Sequence, residues 1–431
     1  MDRNPHVVVI GAGLAGTALA RRLAELGVPA TLLGDEAHAP YNRVLLTEVL
    51  AGRYAPDVIA LPGPGPGPGP GPGSGPAAPI RAAATRVDRA ARRVHCADGR
   101  EIPYGTLVLA TGSNAVLPPL RGLLTPAGEL PSGVHTFRTL DDCLALSAAA
   151  REGARAVVVG GGLLGVSAAR ALAVRGVKVV LAQQAEHLME RRVGPEAARL
   201  VRRHLEGLGV EVHTECRVRG LRTVDGAVRS VVLADGYVLG TDLVVLACGV
   251  RPRTGLARAA GLTVREGVVV DDELRTSDPR VRAVGDCAEH AGRVYGLAAP
   301  ALEQAAALAA LLAAPEAPET PEAPGAPAAP YTGTRSLTRL TLPATGRGAP
   351  LDLAAFGETD PRPGDDVLRL SDATRGTYRQ VVVRDDHLVG GVLIGALGSV
   401  GALARAWERA EPLPRDAGSP LHLLTDHDGG H

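Results

Sequence analysis

Several features that would fix the chemistry of this chain early are scarce or absent. Only 2% of its 431 residues are aromatic, so few rings can line a site for a large planar ligand. Its five cysteines, Cys96, Cys143, Cys216, Cys248 and Cys287, are scattered with no CxxC or CxxxxC pair. That scatter argues against a dithiol relay and against an iron–sulfur cluster held by this chain, because clusters need closely spaced thiolates. Five small, buried, apolar side chains are expected instead. Neither sign of charge is in excess, with Lys+Arg and Asp+Glu at 46 each, which argues against a nucleic-acid or membrane-surface partner. The longest helical apolar stretch, residues 305–314, falls well short of the roughly 18 residues that a membrane span needs. Residues 1–5 lead straight into the first strand with no visible signal peptide. A soluble cytoplasmic protein is expected. His422, His427 and His431 lie in a polar, glycine-ended tail that reads as a frayed terminus, so no metal site is expected.

What the chain does have is glycine at a defined spacing. Gly11-Ala-Gly13-Leu-Ala-Gly16 and Gly160-Gly-Gly162-Leu-Leu-Gly165 both have the form GxGxxG. Each follows an apolar strand-like run, residues 6–10 and 156–159, and each opens a helix. The first glycine permits a tight turn, the second lets main chain approach a pyrophosphate, and the third lets helix pack on strand. The pyrophosphate rests on free N–H groups at the helix start, which adds Leu14, Ala15, Leu163 and Leu164 to the candidates. One such turn is common in α/β units, whereas two in strand–turn–helix context point to a chain that holds two dinucleotides. After the first copy, the strand at 30–33 ends on Gly34-Asp35-Glu36, the spacing at which an acid accepts hydrogen bonds from an adenosine ribose. Glu36 is the preferred ligand and Asp35 the second. Two further strand ends carry small or acidic turns, Leu107-Val-Leu-Ala-Thr111-Gly112 and Val284-Gly285-Asp286.

With these motifs the chain resembles the FAD-dependent pyridine-nucleotide oxidoreductases built from two dinucleotide-binding domains. Pro40-Tyr41-Asn42-Arg43, Leu188-Met-Glu-Arg191 and Cys248-Gly249-Val-Arg251-Pro252 make it similar to the flavoprotein part of NAD(P)H-dependent assimilatory nitrite reductases, with rubredoxin and ferredoxin reductases as near cousins. The similarity runs from about residue 6 to 314 and more weakly from 331 to 409. It implies an α/β architecture of two Rossmann-like domains, an FAD domain interrupted by an inserted NAD(P) domain, plus a small α+β C-terminal domain. The implied boundaries are 1–122 and 255–314 for FAD, 123–254 for NAD(P)H, and 331–412 for a C-terminal interface module that packs on the flavin domain or forms a homodimer contact. Pro-Gly alternation at 62–75, a Pro/Ala/Glu linker at 315–330 and the tail at 413–431 read as extended, unstructured chain. A strand is expected at about 80–87, and the β-rich runs 378–384 and 388–394 flanking Asp385-Asp-His387 read as a hairpin.

Residue by residue, the resemblance makes Thr111 and Gly112 the crossover between domains and gives Asp286 the ribityl chain of the flavin. Arg43 and Ala84 join the same FAD site. Glu303-Gln304 match the family's flavin-facing pair, on a helix beginning near Ala299-Pro300, where proline suits a first turn. That helix would aim its positive end at the reduced ring. Tyr41 and Tyr295 are the rings available to shield it. Gln183, Arg191 and Gly249 join the second glycine turn in an NAD(P)H site. No catalytic acid or base is required, since hydride passes between cofactors while the protein supplies orientation and electrostatics.

Two departures bear on the second site. Ser167 stands where the family usually carries glutamate, and Gln183-Gln184 offers neither the acid that favours NAD nor the arginine that favours NADP. The nitrite-reductase resemblance leans to NADH. Where thiol-dependent members of the superfamily carry a redox cysteine, this chain reads Tyr41-Asn42-Arg43. The expected function is therefore an FAD-dependent NAD(P)H oxidoreductase that passes electrons to a separate iron–sulfur or haem-type protein, of the ferredoxin or rubredoxin type or a nitrite reductase catalytic subunit. The alternatives are an oxidase or diaphorase acting on oxygen or quinones, and a non-catalytic flavin-binding sensor with a decayed nicotinamide site.

Overall fold

The computed structural model describes residues 6–62, 78–314, 329–335, 337–343, 350–372, 374–395, 397–410 and 412–413. The expectations for 62–75, 315–330 and 413–431 fall almost wholly outside them. The chain gathers into two compact units, one of residues 1–46, 54–114 and 250–334, the other of residues 47–53, 115–249 and 335–431.

The first unit is organised by Val7–Ile10, four apolar residues that are all buried. A strand buried on both faces reads as a continuous apolar run and belongs inside a parallel sheet. It pairs in parallel with Ala30–Gly34 on one side and Thr106–Leu109 on the other. Val281–Ala283 and Ile80–Arg81 complete the sheet at its edges. The helix Leu14–Glu25 buries Leu19, Ala20 and Leu23, apolar residues at helical spacing. The expected single strand at about 80–87 is two strands in different sheets. Ala82 N–H is taken by Gly34 and Ala83 C=O by Ala97, so the chain leaves the parallel sheet there, and Ala84–Asp88 pairs antiparallel with Arg93–Cys96.

The helix Ala298–Ala313 starts one residue ahead of the expected Ala299-Pro300 and buries Pro300, Ala301, Gln304, Ala305, Leu308 and Ala309, a stripe repeating every four residues. Pro300 sits in the first turn, where a missing N–H leaves no intrahelical bond unmade. Among the described residues no helix is long and apolar enough to cross a membrane.

The second unit repeats the parallel design. Its sheet runs Glu211–His213, Lys178–Ala182, Arg155–Val159, Leu243–Leu246, Val134–Thr136. The helix Leu163–Val174 is buried without a break from Gly165 to Ala173. The C-terminal module of this unit is a five-stranded antiparallel sheet with a helix, Val400–Arg409. The expected hairpin forms from Thr377–Arg384 and His387–Ile394. Asp385 and Asp386 link them at φ +49° and +62°, the left-handed pair that a two-residue hairpin turn requires. Arg170, in the buried helix, donates to the carbonyl of Pro343 at 3.2 Å, which ties this module to the second nucleotide fold.

Candidate functional site

The first glycine turn leaves the end of Val7–Ile10 and enters the helix Leu14–Glu25. Gly11 has φ +116°, and a Cβ there would lie 2.1 Å from Ala110 O. A Cβ on Gly16 would lie 1.9 Å from Gly11 O. Both positions therefore exclude any side chain, one by the turn and one by helix–strand packing. Gly13 is the reverse case: no protein atom lies within 4 Å of a Cβ added there. Gly13 is the helix N-cap, with no side-chain cap and no acid in the first turn. The N–H groups at the helix start, including those of Leu14 and Ala15, thus face open space with no competing carboxylate, as a bound pyrophosphate requires. The residues present fit the pyrophosphate of FAD.

Around this turn the structure gathers most of the predicted FAD residues. Glu36 accepts from Tyr41 Oη at 2.6 Å and pairs with Arg43, whose guanidinium lies over the Tyr41 ring at 5.1 Å from its centre. Asp35 instead meets Arg253 at 3.2 Å. Arg253 also donates to Asn114 Oδ1 at 2.8 Å, its N–H reaches Gly112 O at 2.9 Å, and Thr111 Oγ1 donates to Arg253 O at 2.7 Å. The Thr111-Gly112 turn is thus braced by the segment that follows Pro252. Ser113 Oγ donates to Asp286 Oδ2 at 2.8 Å, and a Cβ on Gly285 would come within 3.0 Å of the Ala15 methyl. The carboxylate turn therefore packs on the first helix.

Gln304, 1% exposed, accepts from Gly285 N–H at 2.7 Å, so it is the member of the Glu303-Gln304 pair that shapes this turn. Glu303 accepts from Thr334 Oγ1 at 2.6 Å. Tyr295 stands edge-on to Tyr331 at 6.4 Å. Ala84 lies partly buried at the edge of the core of this unit. Sequence reasoning missed Ser113, Arg253 and Thr334. The first two immediately follow motifs that were recognised, and nothing in the sequence marks Thr334.

The second turn repeats the first in backbone. Gly160 has φ +108°, with a Cβ position 2.5 Å from Ala247 O, and that of Gly165 falls 1.8 Å from Gly160 O. Gly162 is an uncapped helix N-cap with nothing within 4 Å and no acid in the first turn. The N–H groups of Leu163 and Leu164 open the helix behind it. Gly249, at φ +96°, closes the strand Leu243–Leu246 much as Gly112, at φ +71°, closes Thr106–Leu109. The residues present fit a second dinucleotide.

The side chains around this turn differ from those around the first. Gln183 turns inward and its Oε1 accepts from Gly161 N–H at 2.8 Å. Ser167 Oγ is occupied by Leu163 O of its own helix at 2.9 Å, so it supplies nothing in place of the missing glutamate. Arg191 is exposed. One carboxylate does reach this helix from elsewhere in the unit: Glu48 meets Arg170 at 3.2 Å, with the Arg170 side chain 1% exposed. Burial lowers the pKa of Arg170, and Glu48 partly offsets that.

None of the five thiols is activated. Burial raises the pKa of each, to about 11 for Cys143 and Cys248, and raises those of Cys96, Cys216 and Cys287 as well. Cys96, Cys143 and Cys287 are buried as expected, whereas Cys216 and Cys248 are only half-buried. Cys248 lies just beyond the buried strand Leu243–Leu246, and Cys216 lies in the connection between Glu211–His213 and Val218–Val224. Among the described residues no group of acids, histidines and cysteines could hold a metal ion.

With this geometry in hand, comparison with known proteins is direct. The family model described as pyridine nucleotide-disulphide oxidoreductase matches residues 5–305. The nitrite reductase (NAD(P)H) large subunit of Klebsiella oxytoca is 32% identical over 422 residues, which cover 96% of this chain and 41% of that protein. The rubredoxin-NAD(+) reductase of Pseudomonas putida is 34% identical over 285 residues, covering 65% of this chain and 71% of the other. Among solved structures, the ferredoxin reductase of the CYP199A2 system from Rhodopseudomonas palustris matches with a TM-score of 0.75 and 28% identity over 91% of each chain. The chain thus spans less than half the length of the nitrite reductase subunit it matches. Its two parallel-sheet nucleotide folds and the matched span agree, and the chain belongs to the pyridine nucleotide-disulphide oxidoreductase family, whose members use FAD and NAD(P)H.

Proposed function

We propose that the chain is an electron-transfer flavoenzyme that accepts hydride from NAD(P)H and delivers electrons to a separate iron–sulfur or haem-type protein. The observation that carries this reading is the pairing of two dinucleotide cradles in one chain with five unactivated thiols and, among the described residues, no candidate metal centre. Among the described residues, electrons arriving through the second cradle find no onward carrier other than the flavin. Bound FAD supplies the redox chemistry, taking electrons as a pair and releasing them singly.

The residues of the chain hold and orient. Gly13 and Gly162 leave room for the two pyrophosphates, and Glu36, kept in place by Tyr41 and Arg43, presents a carboxylate to the FAD ribose. Asp286, fixed by Ser113, presents its carboxylate to the ribityl hydroxyls, and Gln304 fixes the turn that carries it. Relatives named for nitrite, rubredoxin and ferredoxin support an external protein acceptor.

Anaerobic titration of the purified yellow protein with NADH and with NADPH tests the first half-reaction. Bleaching of the flavin band near about 450 nm is expected. The second half-reaction is tested by mixing reduced protein with ferredoxins, rubredoxins and nitrite reductase subunits from its own source. Reoxidation by at least one of them should far outpace reoxidation by oxygen. A flavin that neither nucleotide reduces, or rapid turnover on oxygen alone with stoichiometric peroxide or water, would overturn the proposal.

A further inference from the structure

We infer that the second nucleotide site selects for the 2′-phosphate of NADPH, through Arg191 and Arg192, rather than for the ribose diol of NADH. The inference rests on the reading of that site as a pyridine-nucleotide site and goes against the sequence-based lean to NADH.

Three structural facts carry it. Discrimination in this kind of fold falls at the end of the second strand, where an acid accepts from the ribose hydroxyls or an arginine receives the 2′-phosphate. Here that strand, Lys178–Ala182, ends on Gln183, whose side chain is buried and spent on Gly161 N–H. No carboxylate at this position binds the diol or repels a phosphate.

The second fact is the course of the chain beyond Gln183. Residues 184–193 fold back over the glycine turn: Met189 N–H donates to Gly161 O at 2.8 Å, and Arg192 N–H returns to Met189 O at 2.7 Å. Leu188 presses on the same glycine, where a Cβ would come within 2.6 Å of its Cδ2. Met189 at φ +54° makes the turn, and Arg191 and Arg192 follow it. The backbone that carries the two arginines is thus pinned to the glycine turn.

The third fact is availability. Gln184, Arg191 and Arg192 are exposed, and neither arginine forms an ion pair or side-chain hydrogen bond among the described residues. Glu186 and Glu190 on the same segment leave Arg191 and Arg192 unpaired as well. An exposed, unpaired guanidinium pair beside a neutral strand end suits a phosphate dianion, which arginine binds through charge-assisted, often bidentate hydrogen bonds.

Calorimetric titration of the oxidised holoprotein with 2′,5′-ADP and with 5′-AMP, which lacks only the 2′-phosphate, tests this without turnover. The 2′-phosphorylated nucleotide is expected to bind about tenfold or more tightly at low salt. Arg191→Ala and Arg192→Ala should each narrow that ratio, and the double variant should abolish it. Gln183→Glu should reverse it, and the kcat/KM ratio for NADPH over NADH should follow the same order. Equal binding of the two nucleotides, or a ratio unmoved in the double arginine variant, overturns the inference while leaving flavin reduction by NADH intact. If neither NADH nor NADPH bleaches the flavin yet the arginine-dependent ratio is present, the 2′-phosphate site stands and the hydride-transfer reading falls.

Discussion

At Gly11 and at Gly160 the backbone takes nearly the same φ, +116° and +108°, and in each case a side chain is forbidden by the carbonyl of an alanine at the end of the adjacent parallel strand, Ala110 or Ala247. The helices that follow are both twelve residues long and both begin on an uncapped glycine. Their surroundings part company at once. Beside the first turn an acid, Glu36, is held by an arginine and a tyrosine. Beside the second a neutral amide, Gln183, is folded into the turn itself. The first helix is amphipathic, with Arg22 and Glu25 paired in solvent, whereas the second is buried over nine consecutive residues with Arg170 among them. The backbone cradle is thus shared, and the side chains at the strand ends are where the two turns differ.

The comparison breaks most visibly at the two open glycines. At Gly13 and Gly162 an added side chain meets no protein atom within 4 Å, and both sit in extended conformations that any residue adopts. Gly13→Val should therefore fold, yet be purified colourless, with FAD affinity reduced about a hundredfold or more by loss of the pyrophosphate approach. Gly162→Val should stay yellow, be bleached by dithionite and resist both nicotinamide nucleotides. Absorbance spectra of the two variants decide it. Nucleotide reduction of Gly162→Val at the wild-type rate would mean that the second turn is not the entry point for hydride.

A smaller effect sharpens the contrast between the helices. Glu48→Ala leaves the Arg170 charge buried without a carboxylate, and should destabilise the second unit by about 3 kcal/mol in denaturant unfolding. Glu25→Ala removes a solvent-exposed partner of Arg22 and should cost at most about 0.5 kcal/mol. Pairing Glu48→Ala with Arg170→Met should recover most of the loss, since the buried charge goes with its partner.

The two cradles were legible in the sequence because their geometry is a property of glycine alone, and glycine has no side chain whose direction must be known. Glu36 was legible by spacing, but its clamp by Tyr41 and Arg43 was not, because that depends on a 3-10 turn at Arg43–Leu45 bringing the guanidinium back. The direction taken by Gln183 was invisible for the same reason: an amide after a strand can face solvent or the preceding turn, and only the position of Gly161 N–H chooses. The split of the expected strand at 80–87 escaped because Ala82-Ala83 carries no turn residue. Only the hydrogen bonds to Gly34 and Ala97 show that the chain changes sheets there.

Acid should weaken the second unit through two histidines that have no counterpart in its glycine turn. Burial lowers the pKa of His135, partly offset by Asp142, and burial together with the nearby Arg170 lowers that of His204. The Nε2 of each is buried without a hydrogen-bond partner. A group whose folded pKa lies below its unfolded value of about 6.5 contributes stability that is present above that value and lost as pH falls through the folded one. Thermal midpoints of the wild type should drop by a few degrees between neutral and mildly acidic pH. The drop should shrink in His135→Phe or His204→Leu, and an unchanged slope in both would show that other groups set the acid limit.

The smallest expected effect concerns the thiols, and it separates this chain from a dithiol enzyme. A redox thiol must reach its thiolate near neutral pH to act as nucleophile, yet Cys248 is pushed up to about 11 and Cys216 is raised as well. These two are the only half-buried cysteines, so they are the ones a reagent or substrate reaches first. Cys216→Ser and Cys248→Ser, singly or together, should change the rate of flavin reduction and of acceptor turnover by less than about twofold. Alkylation with iodoacetamide at neutral pH should be slow and equally without consequence. A larger loss in the double variant, with flavin content unchanged, would place a thiol between the flavin and the acceptor and remove the reason for seeking the acceptor in another protein.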